Sequence, residues 1–195
     1  MKKVVVLLLL FPLATFAQKF NAGIRAGIVA SQVDGDTYEG FDKAGVIAGL
    51  YVNRSFSDKF SLQLEMDFIQ KGSRMPVDDL NNYYLMRLSY LEVPLLLQWH
   101  VSNSFTLFGG PSYGVLIASH EENQLGDLTY MPAFKKYEIA ARFGLSYKLS
   151  EKWTTDIRYC GSMSTIRPSP AGYTPSYFEN GQFNRLIEIG LSLAF

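Results

Sequence analysis

Hydrophobic and polar positions alternate with a period of two through eight segments of this chain. The pattern is cleanest over residues 60–69, where Phe60, Leu62, Leu64, Met66 and Phe68 alternate with Ser61, Gln63, Glu65, Asp67 and Ile69. It returns at the end, where Ile187, Ile189, Leu191, Leu193 and Phe195 alternate with Glu188, Gly190, Ser192 and Ala194. Successive side chains of a strand point to opposite faces, so this period predicts strands with one apolar side. The other segments fall near residues 19–31, 43–53, 84–99, 105–117, 136–149 and 153–163. The phase slips around Leu88 to Tyr90, which marks a candidate bulge. No helical period, internal repeat or second domain is visible.

The connections alternate as well. Residues 55–59, 101–104 and 150–152 make short links, while residues 32–42, 72–83, 118–135 and 164–183 make long ones rich in Gly, Pro, Asp and Asn. Short turns at one end and long loops at the other predict an outer-membrane barrel. The polar faces carry Gly23, Gly27, Gly45, Gly49, Gly110, Gly114, Gly144 and Gly190, which suits a crowded interior. The apolar faces run through all eight segments, so closing the sheet would leave no polar outer wall. Aromatic residues collect at strand ends: Phe60, Trp99, Phe105, Trp153 and Phe195 at one level, Phe68, Tyr137 and Tyr159 at the other. Two such girdles mark membrane interfaces. A soluble lipocalin-like barrel, with its apolar faces inside, is the competing architecture. The expected fold is therefore all-β: an eight-stranded antiparallel up-and-down transmembrane β-barrel spanning residues 18–195.

The ends fit that reading. Lys2 and Lys3 precede an apolar run from Val4 to Leu10, and Thr15 and Ala17 stand at the −3 and −1 positions of a cleavage site. Residues 1–17 therefore read as a cleaved secretory signal peptide, too short in its apolar run for a spanning helix of about 20 residues. An even strand number then puts both termini in the periplasm. The terminal aromatic Phe195 matches the signal that outer-membrane barrels present to their insertion machinery. Removing Lys2 and Lys3 leaves sixteen Lys and Arg of the eighteen, against eighteen Asp and Glu. That weak balance argues against nucleic acid as a partner. The expected partners are outer-membrane lipid and lipopolysaccharide, the insertion machinery and, in one reading, proteins of a secretion complex. With Cys160 as the only cysteine, no internal disulfide can form.

An eight-stranded barrel has an interior that side chains fill. The inward acids Glu65, Asp67, Glu92, Glu138, Asp156 and Glu188 outnumber Arg25, Arg142 and Arg158. Lys43, Lys71 and Lys148 lie nearer the rims and could bring the balance to six against six. Buried charges need partners, so a salt-bridge network plugging the lumen is expected. A proton path or a substrate site is the functional alternative to a structural plug. Pro94 and Pro111 each remove a ladder donor, and folding the fourth and fifth strands about residues 102–103 brings them within about one residue of each other. A weakened ladder is expected there.

Other chemistry is sparse. Ser119-His120-Glu121 holds triad letters, but neighbours in a strand do not point at one another. Neither His100 nor His120 has a His or Cys partner at metal-ligand spacing. Asp34, Asp36, Glu39 and Asp42 make the first long loop acidic but fall short of a calcium loop, and read as a solvated segment facing lipopolysaccharide and its divalent ions. Tyr173, Tyr177, Phe178 and Phe183 make the last long loop aromatic, either to bind a ligand or to cover the mouth. No catalytic, cofactor-binding or metal-binding residue is assigned.

Tyr90-Leu91-Glu92-Val93-Pro94-Leu95-Leu96-Leu97, Gly109-Gly110-Pro111-Ser112-Tyr113-Gly114, Gly23-Ile24-Arg25-Ala26-Gly27 and Arg142-Phe143-Gly144-Leu145 resemble the PorT-like family of small outer-membrane β-barrels. The resemblance runs along the whole mature chain. Val29 and the run Cys160-Gly161-Ser162-Met163 depart from the family pattern. The resemblance implies a barrel and, through the founding member, a factor in protein secretion across the outer membrane. The expected function is a non-enzymatic integral outer-membrane protein with a structural, adhesive or assembly role. An accessory secretion component and a lipid-modifying enzyme are the alternatives.

Overall fold

Each alternating segment forms a strand in the computed structural model, which describes residues 20–36, 38, 40–128, 132–168 and 181–195. The signal peptide expected over residues 1–17 lies outside the described residues, as do Glu39, Tyr173, Tyr177 and Phe178. The strands are β1 (Phe20–Asp34), β2 (Lys43–Ser55), β3 (Phe60–Met75), β4 (Tyr84–His100), β5 (Phe105–Asn123), β6 (Tyr137–Lys148), β7 (Trp153–Ser162) and β8 (Phe183–Ala194). A two-residue strand, Gly126–Asp127, folds back on the end of β5. Every strand pairs antiparallel with its neighbours in sequence, and β1 pairs with β8 from Gly23↔Ala194 to Asp34↔Phe183. The sheet therefore closes as an eight-stranded up-and-down barrel with no free edge. The Phe195 amide donates to the Ala22 carbonyl at 3.0 Å, fastening the last residue to the first strand.

The short turns repeat one sequence device. Ser57 Oγ accepts from the amides of Lys59 and Phe60 at 3.3 and 3.0 Å. Ser102 does the same for Ser104 and Phe105, and Ser150 for Lys152 and Trp153. Each is a Ser followed three residues later by the aromatic that opens the next strand. The hydroxyl satisfies turn amides that no ladder reaches. All three short turns thus share one local solution.

The outer wall is apolar. Ile24, Ile28, Leu50, Leu64, Met66, Val93, Leu95, Leu97, Ile139, Ile157, Ile189 and Leu191 are all exposed. A soluble barrel buries such residues; a membrane barrel presents them to lipid. Phe60 faces Trp99 across β3 and β4, and Phe105 packs on Tyr147 with ring centroids 4.8 Å apart, at the short-turn end. Tyr113 with Tyr137, and Phe143 with Tyr159, pair farther up the wall.

Two irregularities fall where the sequence places them. The β4–β5 register shifts between Ser89 and Tyr90, so Ile117 is the extra residue of a bulge on β5. Around Pro94 the ladders are interrupted on both sides. Pairing with β3 skips from Leu95↔Leu64 to Glu92↔Asp67, and pairing with β5 skips from Pro94↔Ser112 to Leu97↔Gly109. The register continues through both gaps, so the prolines weaken the ladder without a bulge.

One expectation needs correction. The inner face is not polar throughout. Toward the long loops, Val29, Val33, Ile47, Ile69, Met86, Leu88, Tyr90, Cys160, Ile166 and Leu186 form an apolar core inside the barrel. Ile28 is 64% exposed while its neighbour Val29 is 2% exposed, so both sides of β1 are apolar at this height. The strands also run farther than alternation predicts, β3 to Met75 and β5 to Asn123, and β8 begins at Phe183. At this height the barrel packs an inside core, as a soluble β-protein does, behind its apolar outer wall.

Candidate functional site

Beside and below that core the lumen holds charge. Every strand except β2 and β5 contributes an ionisable side chain to it. Arg158 Nη1 and Nη2 grip Glu65 at 2.7 and 3.1 Å, and its Nε donates to Asp156 Oδ1 at 2.6 Å. Arg25 Nη2 bridges Asp156 Oδ1 at 2.9 Å and Glu188 Oε2 at 3.1 Å. Arg142 Nη1 lies 3.3 Å from Glu188 and 3.4 Å from Asp67, and its Nη2 pairs with Glu92. Lys71 pairs with Glu92 and donates to Glu138 Oε2 at 3.1 Å. Ser162 and Asn184 donate to Glu138 beyond. One continuous chain of ion pairs thus climbs from Glu65 to Glu138.

Small residues make the room. A Cβ on Gly190 would stand 2.8 Å from both Arg25 Nη2 and Asp156 Oδ2, and one on Gly49 would collide with Asp67. Glycine on the inner face lets planar guanidinium groups cross a narrow bore and fork onto carboxylates. Arg158 also stacks over Phe108 at 4.8 Å, and Lys71 over Tyr90 at 4.8 Å.

The sequence identifies all six acids and three arginines of this network correctly, and of the three rim lysines only Lys71 joins it. Lys43 Nζ instead donates to the Ala44 carbonyl at 2.6 Å, and exposed Lys148 pairs with Glu151 at 3.0 Å. Lys43 lies past the last β2–β3 pair and Lys148 at the short-turn rim, so neither reaches the network. Among the described residues six acids therefore face four bases.

A second buried ionic group caps the long-loop mouth, and sequence reading does not find it. Arg167 Nη1 and Nη2 donate to Glu121 at 2.6 and 2.7 Å, and its Nε to Gln182 Oε1 at 2.6 Å. Tyr84 donates its hydroxyl to the same Glu121. Phe134 stacks on the Arg167 guanidinium at 4.4 Å, and Tyr38 stacks on Tyr84 at 4.5 Å. Gln182 reaches the Gly35 carbonyl at 3.3 Å, so the loop after β7 ties to the loop after β1. Burial raises the Asp36 carboxyl beside this cap to about 6. Arg167 stands outside every alternating segment, so only its pairing marks it.

The remaining candidates scatter. Glu121 is buried in the cap while His120 is exposed on the wall, so Ser119-His120-Glu121 forms no triad. The structure does set His120 beside Glu122, two residues on along the same face of β5, at 3.3 Å, and the fold-back strand brings Asp127 to 4.0 Å. His100 lies at the short-turn end, bonded to Ser61 Oγ at 3.0 Å and Thr106 Oγ1 at 2.9 Å, with no carboxylate partner among the described residues. It lines a polar vestibule of about 500 Å³ with Asn53, Gln63 and Gln98. Asp34 is held by Arg185 at 2.8 Å and Asp36 accepts from the Tyr38 amide, so the acidic loop spends these carboxylates internally.

Comparisons with known proteins agree with this architecture. Ail, the attachment invasion locus protein of Yersinia pestis, superposes with a TM-score of 0.53 at 14% identity, over 91% of this chain and 99% of that one. It has also been solved in complex with the heparin analogue sucrose octasulfate. Neisserial surface protein A superposes with a TM-score of 0.52 at 11% identity, over 90% of this chain and 97% of that one. At such identities the likeness is one of fold. No curated protein sequence matches. Residues 16–166 match the family model described as the outer membrane protein beta-barrel domain, so the chain belongs to that family of outer-membrane β-barrels.

Proposed function

We propose that this protein is a non-enzymatic integral outer-membrane protein with a structural, adhesive or assembly role, its long loops facing outside and both termini in the periplasm. The observation that carries the reading is the unbroken chain of buried ion pairs from Glu65 to Glu138, which occupies the bore where a pore or a substrate would have to pass. Arg142 is 1% exposed, with three carboxylates around it. Apolar core residues pack around the upper end of that chain of ion pairs, and among the described residues the Arg167 cap stands at the mouth. In planar bilayers the protein should give no steady single-channel current. Large, steady currents at neutral pH would overturn the closed lumen.

The PorT-like resemblance supports a second reading, an accessory component of a secretion system. Its motif residues Glu92 and Pro94 sit where the ion network and the interrupted ladders coincide. A barrel isolated from native outer membranes with secretion proteins attached would favour it. Recovery of the barrel without such proteins would favour the structural role.

A further inference from the structure

The β2–β3 ladder stops short of the long loops, where Ser31 Oγ donates to the carbonyls of both Lys43 and Gly72. The ladder ends at Ile47↔Ile69, while Lys43 and Ala44 continue along β1, and residues 70–75 continue along β4. Outside the barrel at this level lies a cavity of about 600 Å³, lined among others by Lys43, Arg74, Arg87, Tyr83 and Glu122. Arg74 and Arg87 stand outward on adjacent strands, Arg87 opposite Gly72 and Arg74 opposite Leu85. Both lie within electrostatic reach of the Lys43 ammonium. Among the described residues none of these three bases forms an ion pair, although most lumen charges are paired. Glu122 is the one acid on the cavity, and His120 holds its carboxylate at 3.3 Å. Three bases against one acid leave an excess of positive charge on the cavity, and an anion between them relieves their repulsion.

Height decides which anion. Below the cavity the outward residues are Val46, Met66, Phe68 and Leu91, the apolar band. Above it are the loops. The bases therefore stand at the headgroup level of the leaflet on the long-loop side, beside Met75, Val77 and Leu85, which suit the start of an acyl chain. Arginine forks match phosphate oxygens bidentately, and basic pockets at this level bind phosphorylated lipid heads. With the long loops outside, as proposed above, that leaflet is lipopolysaccharide, whose lipid A head carries phosphates. We infer that this cavity beside the end of the β2–β3 ladder is a binding site for a lipid A phosphate, gripped by Arg74 and Arg87 with Lys43 behind them.

The test is binding by the purified full-length barrel in micelles, read by native mass spectrometry. The probes are lipid A, lipid A stripped of its phosphates, and inorganic phosphate. The wild type should retain lipid A, and Arg74→Gln/Arg87→Gln should weaken retention by about tenfold or more. Glu122→Gln, which removes the acid at the cavity, should tighten it. Both variants lie on the exposed wall, and a retained heat-modifiable band confirms their folding. Equal retention by wild type and double variant, or equal retention of dephosphorylated lipid A, would overturn the site. Inorganic phosphate displacing lipid A at matched concentration would overturn its assignment to a lipid. Orientation is read separately by labelling Asp79→Cys on whole cells, since Cys160 is buried and the chain has no other cysteine. Lipid A retention with a label that enters only broken cells would overturn the proposed orientation, and with it the choice of leaflet, while leaving the phosphate site standing.

Discussion

At the scale of single residues, the lumen shows why a charge is more costly to strip of its partners than to bury with them. Arg142 alone faces Asp67, Glu92 and Glu188. Removing one member of a buried ionic group costs about 3–5 kcal/mol, because uncompensated charge stays behind. Arg142→Ala should therefore lower stability by roughly that amount, seen as a reduced urea midpoint for the folded, heat-modifiable form. Asp36 behaves differently. Burial, the largest influence on it, raises its carboxyl from 3.8 to about 6. The folded mouth thus binds more protons than the unfolded chain between those values, and stability must fall as pH rises through that window. The mouth should be tightest below about pH 4 and loosened above about pH 6, by no more than about 3 kcal/mol. Amide exchange in residues 32–36 measured across this range should show the change, and Asp36→Asn should flatten it.

At the scale of elements, the strands owe their irregular points to individual backbone demands. Gly72 adopts φ +136°, and a Cβ there would fall on the Met86 carbonyl oxygen. Its own carbonyl accepts from Ser31 Oγ at 3.0 Å. Gly72→Ala should cost about 1–3 kcal/mol, measured as a shift in the same urea midpoint, since a side chain there is both strained and blocked. The short turns are the opposite case. Their Ser-x-x-aromatic pattern is local, so it is readable in the chain at residues 57, 102 and 150 once it is known to matter. The ladder gaps around Pro94 were also legible, because a residue without an N–H cannot be a donor wherever it lies.

At the scale of the whole molecule, an apolar wall outside and an ionic column inside make a membrane barrel whose bore is filled by side chains. The last residue has a special place in the closure of that barrel. Phe195 is 80% exposed at the short-turn end and its amide is bonded to β1. If its ring is the insertion signal proposed from sequence, Phe195→Ser should cut the yield of folded barrel in the outer membrane severalfold, while the same variant refolds into micelles with nearly unchanged stability. Normal yield in the membrane would remove that role from the residue.

What the chain declares by itself is whatever repeats locally: the period of two, the short and long connections, the aromatic levels, and the inward acids and arginines. A strand's two faces are set by backbone geometry, so their contents can be listed from sequence alone. Closure decided the rest. Lys71 joins the column while Lys43 and Lys148 do not, because reach depends on height in the bore. Val29 and Leu186 turn inward against the polar rule, because toward the long loops the barrel packs an apolar core inside as well as an apolar wall outside. Arg167 meets Glu121 across 46 residues of sequence, a pairing that no period encodes. The exposed bases at Arg74 and Arg87 come together with Lys43 only beside the end of the β2–β3 ladder, a place that no period encodes.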